Sequence, residues 1–248
     1  MAKYKKNFLA QVILRLDFTK EIEQSETCYS KFYDGIKGVF PNKKIDTSVT
    51  VKATFLDKKF EQSQEESPLY TFTNIEETKI LTLEKTDLVI TYVNNSYTDF
   101  SELSDTIKLV INSFYSAYGN MIVKRTGLRY INNFYLPEGD PLDWSNLIDK
   151  RLLQLIEFVP DKKELSQVLG VLVLNKSYGK LRIVSGLFNS EYPNKIAKKE
   201  FILDYDCFSE YENEVQDIPA LAKTLNDEIT KLFELSIQDG MRYIMNEG

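Results

Sequence analysis

Histidine is absent from this chain of 248 residues. Without it, Ser-His-Asp and Cys-His nucleophiles, histidine-ligated metals and the usual pH switch near neutrality are excluded. The two cysteines, Cys28 and Cys207, lie far apart in the sequence and cannot supply an ordinary zinc site. Nothing marks a secreted protein, so we expect both to be free thiols. What remains is carboxylate-metal chemistry, lysine or tyrosine chemistry, or no catalysis.

Long apolar runs are also missing. No stretch approaches the roughly 20 residues of a membrane-spanning helix. The apolar residues that follow Lys5 and Lys6 are interrupted too soon for a signal peptide. We therefore expect a cytoplasmic protein that does not bind membranes. The net charge of −6 disfavours non-specific binding to nucleic acid, although a local basic groove stays compatible with it.

The spacing of apolar residues predicts a mixed α+β chain. Alternating apolar residues predict strands at 8–18, 49–56, 69–74, 80–83, 87–93, 121–135, 165–175, 180–189 and 199–206. Helical spacing predicts helices at 26–40, 100–118, 142–157 and 219–237. Asp99 is expected to cap the second helix, with Glu102 as its capping-box partner. The polar stretch 57–67 is predicted to be a loop.

The order of these elements repeats along the chain. A superposition offset by about 114 residues places Val12–Leu16 over Thr126–Tyr130, and a similar offset places Leu88–Tyr92 over Phe201–Tyr205. We predict two tandem pseudo-symmetric β-α-βββ-α modules, 1–119 and 120–248, packed as one globular unit. Their sheets are expected to be rich in antiparallel strands, with helices on one face. A groove between the modules is then the default place for a ligand.

The segment from Lys124 to Asn132 is the most distinctive in the chain. On a strand, Arg125, Gly127 and Arg129 share one face and flank a position without a side chain. Such a notch can clamp a phosphate or a carboxylate. The alternative is that each arginine pairs with a structural carboxylate across the sheet. The candidate binding residues are Lys124, Arg125, Gly127, Arg129, Tyr130, Asn132 and Arg15.

Two aspartates form a weaker candidate site. Asp204 and Asp206 share a face of one strand and could hold Mg²⁺ with a third ligand, although no spacing identifies that ligand. The alternative is an edge strand with a solvated acidic face, paired with Arg129 or Arg15. No catalytic residue and no cofactor are predicted.

The chain resembles a sporadically distributed family of bacterial proteins of about this length. The resemblance rests on the R-x-G-L-R-Y-I-N stretch from Arg125 to Asn132, on Leu203–Asp206, and on the closing helix with Phe233. The proline-rich opening usual in the family is weak here. The resemblance transfers no activity. The scattered distribution implies mobile or defence-associated genes.

Three functions remain open at this point. The first is a non-catalytic binding or adaptor protein of a bacterial defence or toxin–antitoxin system, whose partner is encoded by a neighbouring gene. The second is an RNA-binding or nucleic-acid-processing protein that uses the arginines of the motif. The third is a nucleotide or small-molecule sensor with its ligand in the groove between the modules.

Overall fold

A computed structural model describes residues 4–56 and 59–247. The chain folds as α+β, with one large antiparallel sheet and five α-helices in the described part. The strands are β1 (Leu9–Phe18), β2 (Asn42–Leu56), β3 (Lys59–Thr73), β4 (Lys79–Leu83), β5 (Asp87–Val93), β6 (Ile122–Leu136), β7 (Val168–Lys176), β8 (Gly179–Leu187), β9 (Lys199–Ser209) and β10 (Asn213–Glu214). The helices are α1 (Glu26–Ile36), α2 (Phe100–Tyr118), α3 (Gln154–Glu157), α4 (Ile218–Ser236) and α5 (Asp239–Glu247).

The strands lie in the order β2-β3-β4-β5-β1-β6-β9-β8-β7, and the two-residue β10 pairs with β6. The antiparallel pair β1–β6 joins the strands of the first half to those of the second half. β5 flanks this pair on one side and β9 on the other. The sheet therefore continues without a break from one half of the chain to the other.

Helices α1, α2 and α4 cover one face of the sheet. Every second residue of β1, from Val12 to Phe18, is buried beneath them. Hydroxyl groups on this face reach the helices: Tyr92 donates to Thr106 of α2, and Tyr205 donates to Ser236 of α4 at 2.7 Å. We call the opposite face, which carries Arg15 and Arg129, the open face. No α-helix in the described part of the chain packs on it.

The second helix is confirmed with its cap, since the Asp99 side chain accepts a hydrogen bond from the Glu102 amide at 3.1 Å. The helix predicted at 142–157 is wrong except for the four residues of α3. Asp140, Asp143 and Asp149 each accept a hydrogen bond from the amide two residues further on. These local turns compete with helical hydrogen bonds.

The loop predicted at 57–67 is also wrong from Lys59 onward. Residues 57 and 58 lie outside the described residues, and the rest of the stretch belongs to β3, which pairs with β2 along its whole length. The backbone ladder of a long hairpin satisfies these polar residues without any apolar alternation. The first half has four strands between α1 and α2, as the individual strand predictions give, and this is one more than the β-α-βββ-α pattern has.

Candidate functional site

Four of the seven predicted binding residues meet on the open face. Arg15, Arg125, Gly127 and Arg129 line a shallow depression of about 250 Å³. The pairing of β1 with β6 brings them together, because Arg15 stands opposite Gly127. The sequence-based grouping of Arg125, Gly127 and Arg129 on one face is therefore confirmed.

The arginines in this depression are paired with carboxylates. Arg129 binds Asp204 through two parallel hydrogen bonds of 2.8 and 2.6 Å. This bond to the carboxylate raises the pKa of the Arg129 guanidinium. Arg15 donates to Asp17 at 2.8 Å and lies 3.5 Å from Asp87. For Arg129 the geometry matches the structural alternative of a carboxylate partner across the sheet, whereas the hydrogen-bonded partner of Arg15 lies on its own strand.

The Arg125 side chain fills the notch above Gly127, where the strand has no side chain. A Cβ atom at Gly127 would lie 3.2 Å from the Arg125 guanidinium, which also stacks over the Phe208 ring at 4.7 Å. Asp17 and Asp206 lie 3.7 and 3.9 Å from this guanidinium. The candidate clamp for a phosphate or a carboxylate is therefore occupied by a side chain of the motif itself.

The depression has no excess of positive charge. Four arginines face four aspartates: the arginines are Arg15, Arg125, Arg129 and Arg182, which stands on β8 opposite Asp206, and the aspartates are Asp17, Asp87, Asp204 and Asp206. Burial raises the pKa of Asp206, which Arg125 and Arg129 oppose. A balanced cluster of this kind does not attract a polyanion as an electropositive groove does.

The two aspartates of the weaker candidate site do share a face, but not on an edge strand. β9 lies between β6 and β8, and Asp204 is buried with its carboxylate bound to Arg129. The expectation of a solvated acidic edge strand is thus wrong, whereas the pairing with Arg129 that it included is present. Within residues 4–56 and 59–247, no group of three metal-binding side chains is close enough to hold an ion.

The other predicted residues lie away from the depression. Lys124 is an extra residue at a bulge in β6, because Asp17 pairs with Arg125 and the next residue of β1, Phe18, pairs with Val123. The bulge leaves Lys124 exposed instead of facing the helices with Tyr130. Tyr130 and Asn132 are buried on the helix-covered face.

Asn132 lines a second cavity, which we call the junction pocket. It has a volume of about 250 Å³ and lies between the start of α2, the strand β6 and the helix α4. Its wall includes Tyr97, Asn132 and Asn226. Sequence analysis did not single out Asn226. The available signal was an amide within the apolar stripe of α4, next to Leu225.

The edge strand β7 presents a third surface. Among the described strands it has a partner on one side only. Its exposed apolar side chains are those of Leu169, Val171, Leu172 and Val173. Leu155 of α3 and the residue after that helix, Phe158, add two more exposed apolar side chains. We call these six residues the β7 patch.

Comparison of the chain with models of known protein families finds no match, and comparison with curated proteins finds none either. No helix in the described ranges has the length and apolar character needed to cross a membrane.

Proposed function

We propose that this chain is a non-catalytic binding protein that takes up an extended segment of a partner protein along the edge of β7. The observation that carries the proposal is an edge strand that has no charged residue from Val168 to Asn175 and exposes apolar residues on both faces. A strand added there would form main-chain hydrogen bonds with β7 and cover those side chains.

The composition of β7 supports this function. Natural sheet edges are protected by charged residues, prolines or bulges. From Val168 to Asn175, β7 contains no charge and no proline, and its pairing with β8 has no register shift. The opposite edge strand, β2, carries Lys43, Lys44 and Asp46. The unprotected edge favours an uncharged, apolar strand as its occupant.

The exposure of the β7 patch supports it further. Val171 is 61% exposed and Phe158 is 84% exposed. Exposed apolar side chains gathered on one edge strand in this way are typical of interaction sites on soluble proteins. The family resemblance adds the expectation that the partner is encoded beside this gene, in a defence or toxin–antitoxin locus.

The test is co-expression of the tagged full chain with each protein encoded by a neighbouring gene. A stoichiometric complex is expected with the wild type and should be lost in Val171→Lys, because a buried lysine at an apolar interface is costly. Val49→Lys is the matched control on the other edge strand, since Val49 is 53% exposed. It should leave the complex intact.

Three outcomes would refute the proposal. The first is that no neighbouring protein binds, and the second is that Val171→Lys binds the partner as the wild type does. The third is a wild-type homodimer, seen by light scattering, that Val171→Lys dissociates. That result would assign the β7 edge to a second copy of the chain.

We also propose that the two halves are a tandem duplication. Leu14 pairs directly with Leu128, which is also its equivalent in the sequence superposition. In an antiparallel pair, this is expected only where a twofold axis passes through the pair. Arg15 and Arg129 are then equivalent, and each lies near an aspartate of the next strand, Asp87 or Asp204.

The strand pairings change one part of the superposition. With β1 placed over β6, Leu88 corresponds to Tyr205 instead of Phe201. The duplication predicts that an alignment of relatives gives similar profiles for the two halves at this register. Unrelated profiles would contradict it.

A further inference from the structure

The junction pocket contains buried polar groups whose hydrogen-bonding capacity the protein does not fully use. Asn132 is 3% exposed and Asn226 is 6% exposed, and both line the cavity. Buried polar groups in folded proteins are almost always hydrogen-bonded. Groups that remain open at a cavity wall therefore indicate what the cavity accepts.

Hydrogen bonds fix the orientation of the Asn132 amide. Its Nδ2 donates to the Leu203 carbonyl at 3.1 Å, so Oδ1 points the other way. No donor from the described residues bonds to this oxygen. Asn132 therefore offers the pocket a hydrogen-bond acceptor.

Asn226 offers the complementary group. Its Oδ1 accepts a hydrogen bond of 2.9 Å from the Tyr130 hydroxyl, which lies 3.1 Å from the Tyr97 hydroxyl. Burial raises the pKa of Tyr97 to about 12 and that of Tyr130 well above 10, so both hydroxyls stay neutral. Asn226 Nδ2 has only a 3.3 Å contact with Asp227, and an amide carries two hydrogens.

The remaining wall selects against anions. Leu9, Phe100, Phe233 and Met245 provide apolar surface, and none of the described residues that line the cavity is a lysine or arginine. A phosphate or carboxylate would lie against this apolar surface without a cation from the described lining, which is unfavourable.

From these contacts we infer that the junction pocket binds a small uncharged lactam of the nucleobase type. The ligand donates a hydrogen bond to Asn132 Oδ1, accepts one from Asn226 Nδ2, and stacks its ring against the apolar wall. Phosphorylated forms are excluded because the described lining offers no cation to the phosphate. This inference does not depend on the β7 patch, because different elements form the two surfaces.

Calorimetric titration of the full chain tests the inference, with uracil, thymine and hypoxanthine as probes and the corresponding nucleoside monophosphates as comparison. At least one base should bind, and the monophosphates should not. Asn132→Leu should weaken binding by about tenfold or more, the effect of one lost hydrogen bond.

A second variant keeps the test valid if Asn132→Leu fails to fold. Ser101 is an exposed lining residue on α2, so Ser101→Trp should block the pocket without disturbing the core. Ser116→Trp is the control on the same helix, outside the lining. Absence of binding by all three bases, equal binding of the monophosphates, or unchanged binding by Ser101→Trp would overturn the inference.

Discussion

Replacing Arg129 with methionine tests whether the arginines of the open face are structural. The substitution keeps an unbranched apolar stem of similar reach and removes both hydrogen bonds to Asp204. The Asp204 carboxylate would remain buried without its bidentate partner. We expect a loss of folding stability, because removing one member of a buried pair leaves the other uncompensated.

The size of the loss follows from the exposure of the two side chains. Asp204 is 5% exposed and Arg129 is 40% exposed, so water reaches the pair from the arginine side. Breaking a fully buried pair costs about 3–5 kcal/mol, and an exposed pair contributes about 0.2–1 kcal/mol. We expect Arg129→Met to lower the free energy of unfolding by about 2–3 kcal/mol, between these limits.

Chemical denaturation monitored by tryptophan fluorescence provides the assay. Trp144 is the one tryptophan of the chain and is buried against Phe201 of β9. Arg151→Met is the matched control, since Arg151 also binds an aspartate, Asp149, through two hydrogen bonds but is 67% exposed. Its cost should stay below about 1 kcal/mol.

Two results would refute this reasoning. Equal losses in Arg129→Met and Arg151→Met would show that the deeper burial of the Arg129–Asp204 pair does not matter. A double variant, Arg129→Met with Asp204→Leu, should recover part of the stability, because no buried charge then remains. If it is as unstable as the two single losses added together, the pair is not coupled.

Three further predictions concern other parts of the molecule. Gly186→Ala should lower the free energy of unfolding by at least about 2 kcal/mol, because Gly186 has φ +148° and its new Cβ would stand 2.0 Å from a β7 carbonyl. Gly38→Ala is the control, since the space around Gly38 is open, and chemical denaturation should show a change within about 1 kcal/mol. Burial raises the pKa of Asp206 above 3.8, so the folded chain holds this proton more tightly than the unfolded chain. Folding stability should fall as the pH rises from about 3.8 through that raised pKa, and Asp206→Asn should show a weaker dependence of stability on pH. The same pH dependence in wild type and variant would show that Asp206 is not the group responsible. Burial raises the pKa of Cys207 to about 11, while Cys28 is partly exposed. Iodoacetamide should therefore modify Cys28 alone until the protein unfolds. Equal labelling of the two cysteines in the folded protein, measured by mass spectrometry, would contradict the burial of Cys207.

Local signals in the sequence predict much of this fold. The alternation from Val12 to Phe18 gives β1, and the Asp99 cap with its apolar stripe gives α2. Sequence patterns do not predict the structure where local side-chain hydrogen bonds or pairing between distant strands determine it. The aspartate turns prevent a helix at 142–157, and pairing with β2 extends β3 into a polar stretch.

The candidate site was predictable only in part, for the same physical reason. Strand periodicity correctly places Arg125 and Arg129 on one face, but their carboxylate partners come from β1 and β9. The bulge at Lys124 and the position of β7 at the sheet edge depend on strand pairing across the whole sheet. The meeting of Asn132 with Asn226 likewise requires the packing of α4 on β6.

The most direct test of the proposed function is amide hydrogen exchange of the chain with and without its partner. The free edge of β7 should exchange quickly in the isolated chain. In the complex, amides between Val168 and Lys176 should gain protection, whereas those of β6 at Arg125–Arg129 should not change. Protection confined to the open face around Arg129, with β7 unaltered, would contradict strand addition at this edge and return the function to the arginine motif.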